Sequence, residues 1–485
     1  MVTGGGLTRM KRNLSVIGLS LLAFAAIGDG GSRSVRAADP PAGPANVSYF
    51  RDIRPIFQAQ CHGCHQPAKS SGGYVMTVAD ALRKGGESGT PAIVPGQPDK
   101  SELMAQIVVT NGQALMPKGK PALTAPQIEL VKRWIAEGAN DDSPASARPQ
   151  FDMQRPPVYS AAPVLTSVDF SPDGQFLAVS GYHEVLIAKA DGSELAARLV
   201  GLSERIESAK FSPDGKRLAV SGGSPGRLGE LQIWDVAEKK LALSYTVGYD
   251  TLYGASWSPN GKFVAFGCPD NTVRAIEVET GKQVFFNGAH NDWVLDTTFS
   301  VNSDHVITVS RDMSTKLIDF GTQRFIDNIT SITPGALKGG LNSVDRHPTK
   351  DELLVGGADG APKIFKMVRD KARQIGDNSN LIREFPALPG RVYCVAFSRD
   401  GQRIAAVSSL DGKGEVRVYS VADGAQVMRA EVPSGGLFTV AFSADGKTLA
   451  CAGFDGQVRL VDAASGQIVK AFFPVPVGQP VAAAK

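Results

Sequence analysis

Cysteine is scarce. The chain has five in 485 residues, Cys61, Cys64, Cys268, Cys394 and Cys451, too few for a disulfide scaffold of this length. Charge of one sign is lacking too: 51 Lys and Arg stand against 48 Asp and Glu, a net +3. Residues 1–38 hold Arg9, Lys11, Arg12, Arg33 and Arg36 against Asp29, so the remainder is close to neutral. A broad basic surface for nucleic acid is therefore excluded. The apolar run Leu14–Ile27 is shorter than the roughly 20 residues that cross a bilayer as a helix. What is plentiful is glycine and proline, 53 and 30, roughly 17% against about 12% in average usage. That surplus calls for many tight turns and argues against long helices. A hydrophobic content of 42% argues against a disordered polymer, and the length allows more than one core.

Lys11 and Arg12 precede the apolar run, and Val35-Arg36-Ala37 follows with small residues at the spacing of a cleavage site. The pattern predicts a secretory signal peptide over 1–38, an exported periplasmic or cell-envelope protein, and a mature chain without a transmembrane helix.

Cys61-His62-Gly63-Cys64-His65 is a C-x-x-C-H run, which reads as the attachment site of one covalent haem c. Two thiols on one turn reach the two vinyl groups of the porphyrin, and the following imidazole, His65, takes the iron. A thioredoxin-like pair would need a βαβ setting, and a zinc site a second Cys/His pair. The next histidine after His65 is His183. His62 is expected at the surface.

Phe50, Ile53, Ile56 and Phe57 form a helical stripe over 49–60, with Pro55 as a kink. Thr124-Ala-Pro-Gln127 is a capping signal for a second helix from Gln127 to Glu137, closed by Gly138. A sixth iron ligand would come from Met76, Met104 or Met116. Met104 lies in a helical pattern that favours core packing. Met116, before Pro117 in a loop, is preferred.

With Phe50-Arg-Asp-Ile-Arg-Pro-Ile-Phe57, Gly85-Gly-Glu-Ser-Gly89, Pro91-Ala-Ile-Val-Pro-Gly96, Met116-Pro117 and Arg133-Trp-Ile-Ala-Glu-Gly-Ala139, residues 47–140 resemble the planctomycete-type cytochrome c domain. The resemblance implies a small all-α domain with a single covalent haem and the Met of the Met-Pro pair as distal ligand. The second proline usual after that Met is replaced here by Lys118.

A Pro/Ser/Ala-rich linker over 141–156 leads to a repeat. Val168-Asp-Phe-Ser-Pro-Asp-Gly174 recurs at 209–215, 255–261, 297–303, 344–350, 395–401 and 440–446, with anchors at 170, 211, 257, 299, 346, 397 and 442. A period near 45 residues predicts an all-β, seven-bladed β-propeller over 157–475, in four-stranded blades. Ser-Pro-Asp-Gly supplies the turn after an inner strand, and period-2 strands follow. Blade closure is open: Gln467–Phe473 offers an outer strand, and Pro157–Pro163 is a second candidate for the same blade. Cys268, Cys394 and Cys451 lie in or beside apolar strands and are expected in the core.

The copies resemble WD repeats, although Trp-Asp itself stands only at Trp234-Asp235. Gly288-Ala-His290 with Ser310-x-Asp312 matches the family's His–Ser–Asp brace, a structural network and not a catalytic triad. The fifth copy departs furthest, with Arg346-His347-Pro348 and a polar insert from Asp370 to Arg383. No catalytic residues are assigned. The expectation is an exported electron carrier with Cys61, Cys64, His65 and Met116 at its haem and a propeller that makes protein contacts, including those to a redox partner. The alternatives are an oxidoreductase with a substrate site on the propeller, and a haem-based sensor.

Overall fold

The computed structural model describes residues 46–478 apart from 63, 67, 68, 78, 111, 119, 120, 145–150, 331–338, 372–377 and 476. The expected signal peptide and its cleavage site lie outside the described residues, as does the middle of the expected linker. No helix among the described residues is long and apolar enough to cross a membrane.

The stripe over 49–60 folds as two helical pieces. A π-helical turn, Tyr49–Ile53, runs into helix α1, Arg54–Gln60. Pro55, near the start of α1, cannot donate to the preceding turn, so the change of winding falls just before it. Helices α2 (Ala79–Lys84), α3 (Glu102–Ile107) and α4 (Ala125–Ala136) follow. At the start of α4 the Thr124 N–H donates to Gln127 Oε1 at 2.9 Å, and Gly138 takes a φ of 102° just past its end, as the local signals predict. Tyr49 stacks on Trp134 at 5.3 Å, and Phe57 meets the same ring edge-on at 6.2 Å. These side chains join Ile53, Ile107, Val131 and Ile135 in one apolar core. The region is not purely helical: His65–Gln66 and Lys69–Ser70 pair as a short antiparallel ribbon.

The rest of the described chain is β-structure in six sheets, not seven separate ones. Five are four-stranded antiparallel meanders, over 253–287, 294–328, 341–384, 391–432 and 437–472. The sixth holds seven strands over 168–247, because one strand, Leu195–Phe211, is the last of one meander and the first of the next. Elsewhere the two roles fall to separate strands.

The Ser-Pro-Asp-Gly phrase makes its turn by a repeated set of bonds. Ser171 Oγ accepts from Phe176 N–H, Asp173 Oδ1 accepts from Gln175 N–H, and Gly174 sits at φ 72°. Ser212/Asp214, Ser258/Asn260, Ser398/Asp400 and Ser443/Asp445 repeat the pattern. The Asx acceptor and the left-handed glycine together fix the reversal.

First strands pack on first strands in chain order, and the first strand of the last sheet, Leu437–Phe442, packs on Val168–Phe170. Side chains stitch several of these neighbours to one another's backbone. Asp169 accepts from Phe211 N–H, Asp296 from Val344 N–H, and Asp345 from Phe397 N–H, at 2.7–3.0 Å. Thr439 Oγ1 accepts from Val168 N–H at 3.1 Å, and Leu165 N–H donates to Gly453. Ile468–Phe472 is the outer strand of the last sheet, while of 157–163 only Tyr159 forms a bridge, with Val477. Cys268 and Cys451 are buried, and Cys394 is partly so.

Both described flanks of the expected linker are bonded. Phe50 N–H donates to Asp142 Oδ1 at 2.9 Å. Phe151 lies against the rings of Tyr182 and His183, and Met153 Sδ accepts from Val200 N–H.

Candidate functional site

Helix α1 delivers the C-x-x-C-H run at its C-terminal end. Cys61 N–H donates to Phe57 O at 2.8 Å, and the N–H groups of Cys64 and His65 both donate to Cys61 O at 3.1 Å. The tight turn brings both cysteines and His65 together on one loop. Cys61 is half-buried against the apolar core, Cys64 is exposed, and neither is in a disulfide.

His65 is oriented from its far side. Its Nδ1 lies 3.3 Å from Tyr74 O, and its own carbonyl accepts from Met76 N–H at 2.9 Å. Tyr74 is pinned in turn by its hydroxyl, which donates to Leu82 O at 2.8 Å. A proton on Nδ1 bonded to a carbonyl leaves the Nε2 lone pair for a metal, the usual arrangement of a ligating histidine. Burial lowers the basicity of His65 and so favours the neutral form that can ligate. Tyr74 escaped the sequence reading because its contribution to His65 is a backbone carbonyl, which no residue type announces.

His62 overturns its expectation. It is 7% exposed, not a surface side chain, and its Nε2 has no hydrogen-bond partner. Burial pushes its pKa down to about 4. The adjoining turn carries it inward with Phe57, whose carbonyl also accepts from His62 N–H at 2.9 Å.

All three candidate methionines reach the same core. Met76 and Met104 are buried in it, and Met116 packs against it half-buried, with its N–H donating to Gln106 O at 2.9 Å. The donor set of two thiols outside any disulfide, an imidazole oriented by a backbone carbonyl and a thioether at the core edge fits a c-type haem. Among the described residues no cluster of three His, Cys, Asp or Glu side chains is arranged for a metal ion.

The β-sheets contain polar networks of another kind. His290 Nδ1 lies 2.9 Å from Asp312, and Nε2 lies 2.6 Å from Thr308 Oγ1. Ser310, expected as a member, turns its hydroxyl to Asp292 O instead. Burial opposes the charge on Asp312, yet bonds from His290 and Ser314 hold its carboxyl well below the usual range. Glu230 is fully buried and accepts from Ser203 and Gln232 at 2.7 Å each and from Ser244. Gln232 in turn accepts from Trp234 Nε1–H at 2.7 Å. A further repeat was readable but not read: Asp270/Arg274, Asp312/Lys316, Asp359/Lys363 and Asp455/Arg459 share one spacing. In three of these pairs the acid and the cation form an ion pair.

Residues 61–119 match the family described as Planctomycete cytochrome C. Residues 158–186, 242–276, 281–319, 379–419 and 426–462 match the WD domain, G-beta repeat. The chain thus joins a planctomycete-type cytochrome c domain, a family that implies haem c, to WD40 repeats. The segment 187–241, between the first two matched stretches, continues the seven-stranded sheet. The segment 320–378 holds most of the 341–384 meander.

Among curated proteins, eukaryotic translation initiation factor 3 subunit I of Kluyveromyces lactis is 25% identical over 209 residues, 43% of this chain and 47% of that protein. Periodic tryptophan protein 2 of Arabidopsis thaliana is 25% identical over 243 residues, 50% of this chain and 25% of that protein. The chain spans about half the length of the translation-factor relatives it matches and a quarter of the second protein.

Proposed function

We propose that this protein is an exported c-type cytochrome. It carries one covalent haem for electron transfer, and a closed seven-bladed propeller over 157–475 serves it as a protein-interaction platform. Cys61 and Cys64 are the attachment thiols, and His65 Nε2 and Met116 Sδ are the iron ligands. Bound haem supplies a one-electron couple, and a Met ligand raises its potential.

The observation that carries the reading is the His65–Tyr74 bond beside two cysteines, neither in a disulfide, on one turn. With its proton on Nδ1 that bond orients the imidazole, while the apolar core around Phe57 and Trp134 packs against Cys61 and Met116. The closed ring is supported by the unbroken order of packed first strands, with the Thr439–Val168 and Gly453–Leu165 bonds between the last sheet and the first. Counting Leu195–Phe211 as shared by two blades gives seven. The motif-bearing segment 1–38 motivates export, and WD40 repeats motivate a partner protein as the propeller's ligand. The donor and acceptor of electrons are left unnamed.

The test is intact mass and visible spectra of the exported protein, oxidised and reduced, with and without CO. One covalent haem per chain, lost in Cys61→Ser/Cys64→Ser, and a CO-inert reduced spectrum are expected. An exported protein without covalently bound haem would sink the haem reading. A CO-responsive spectrum would remove Met116 as a firm ligand.

A further inference from the structure

The two faces of the sheet array differ in chemistry. The face formed by the Ser-x-Asp-Gly turns is polar, with Asp173, Asp214, Asp400 and Asp445 in repeated turn bonds. The opposite face, where first strands begin and second strands end, exposes two groups of large apolar side chains.

One group lies on the sheets over 253–287 and 294–328. Tyr253 stacks on Trp293 at 5.8 Å, Arg311 covers the Trp293 ring at 4.8 Å, and Met313 is 46% exposed. The other lies on the sheets over 391–432 and 437–472. Tyr393 meets Phe438 at 4.9 Å, Leu410 is 49% exposed, and Phe454 is 64% exposed. The second group is continuous: Phe454 N–H donates to Gly436 O, and Gly436 abuts the Phe438 ring.

We propose that this face is a homodimer interface, in which the 253/293 group of one copy covers the 393/454 group of another. The proposal rests on the closed-ring reading for the relative placement of the two groups, three sheets apart around one axis. In that ring they stand nearly opposite each other, so a twofold axis between them makes both contacts at once, the isologous closure of a cyclic dimer. Charge permits self-association: Arg311 stands with Asp292 in the first group, and Arg391 and Lys413 with Asp411 in the second. Neither group repels a copy of the other by net sign. Covered aromatic side chains bury on the order of 150–250 Å² each, and a standard interface needs about 800 Å² per partner. Four aromatics with Met313 and Leu410, joined by Phe454, are of that scale even at partial exposure. Exposed apolar groups rimmed by mixed charge mark protein interfaces rather than ordinary surface.

Light scattering and sedimentation of the full-length protein at micromolar concentration decide the matter. A mass of twice the chain is expected, falling to one chain in Tyr393→Asp/Phe454→Asp with an unchanged far-UV spectrum. If that variant misfolds, Met313→Glu, at an exposed turn on the partner group, takes its place and is expected to weaken the dimer at least tenfold. A monomeric wild type, or a dimer indifferent to a folded variant in either group, overturns the proposal. The haem spectrum is recorded on the same samples, so a failed haem reading is recognised separately from a failed interface.

Discussion

His65 Nδ1 lies 3.3 Å from the carbonyl oxygen of Tyr74, a contact that, with the proton on Nδ1, leaves the Nε2 lone pair for a metal. The opposite ligand is a separate question, because Met76, Met104 and Met116 all touch one core.

Met116→Leu separates the candidates. Reduced protein should gain CO binding while keeping one haem per chain, since the thiols are untouched. A CO-inert Met116→Leu would shift the assignment to Met76 or Met104.

The buried carboxyl groups around Lys210 predict a pH dependence. Burial raises the pKa of Asp296 from 3.8 to about 6, against bonds from Val344, Thr297 and Ser343 and the charge of Lys210. Asp169 and Asp345, also facing Lys210, are raised in the same direction by burial. A raised carboxyl means the folded state holds its proton more tightly than the unfolded one. Folding stability from Asp296 therefore increases as pH falls from about 6 toward 4. Allowing for solvent screening, the gain is on the order of 1 kcal/mol. Lys210 is held above its usual range, which affects only alkaline solutions. Thermal melts at pH 8 and pH 5 should differ less in Asp296→Asn than in the wild type.

Glu230→Leu should cost about 2–4 kcal/mol, because Ser203, Ser244 and Gln232 lose their shared acceptor in a buried site. Glu230→Gln retains one acceptor oxygen and should cost less than half as much. Chemical denaturation of both variants checks the order.

Gly453→Ala tests the close approach of the first two strands in the last sheet, where Leu437 pairs with Gly453. A Cβ there would overlap the carbonyl oxygen of Gly436, and backbone must move, at about 2 kcal/mol or more. Gly288→Ala meets nothing closer than Thr272 Cγ2 at 3.9 Å and should stay within about 0.5 kcal/mol. Equal melting temperatures for the two would contradict that close approach.

Local chemistry was legible. The Thr124–Gln127 bond, the Gly138 turn and the Ser-x-Asp-Gly reversals depend on residues a few positions apart, and each formed where its letters stood. What depends on distant partners was not legible. Nothing in Gly201-Leu-Ser-Glu-Arg205 says that Leu195–Phe211 runs on as one strand, since pairing on both of its flanks imposes it. The inward turn of His62 likewise follows from the packing of Phe57, not from its place in the motif. The register pairing Glu230 with Thr246 puts Ser244 and Gln232 around one carboxylate. Their i, i+2 spacing along a strand was visible, but not its burial.

The bonded flanks of the linker have a consequence for kinetics. Asp142 is held by Phe50, and Phe151 by Tyr182 and His183. Eight residues stand between the two anchors, a connection that at full extension spans about 30 Å. Helix Arg54–Gln60 and residues Lys69–Ser70 also contact the strand Lys240–Val247, so the cytochrome-type region meets the β-array by packing as well as by covalent connection, and its encounter with that array is intramolecular. Dilution of the protein leaves that encounter unchanged.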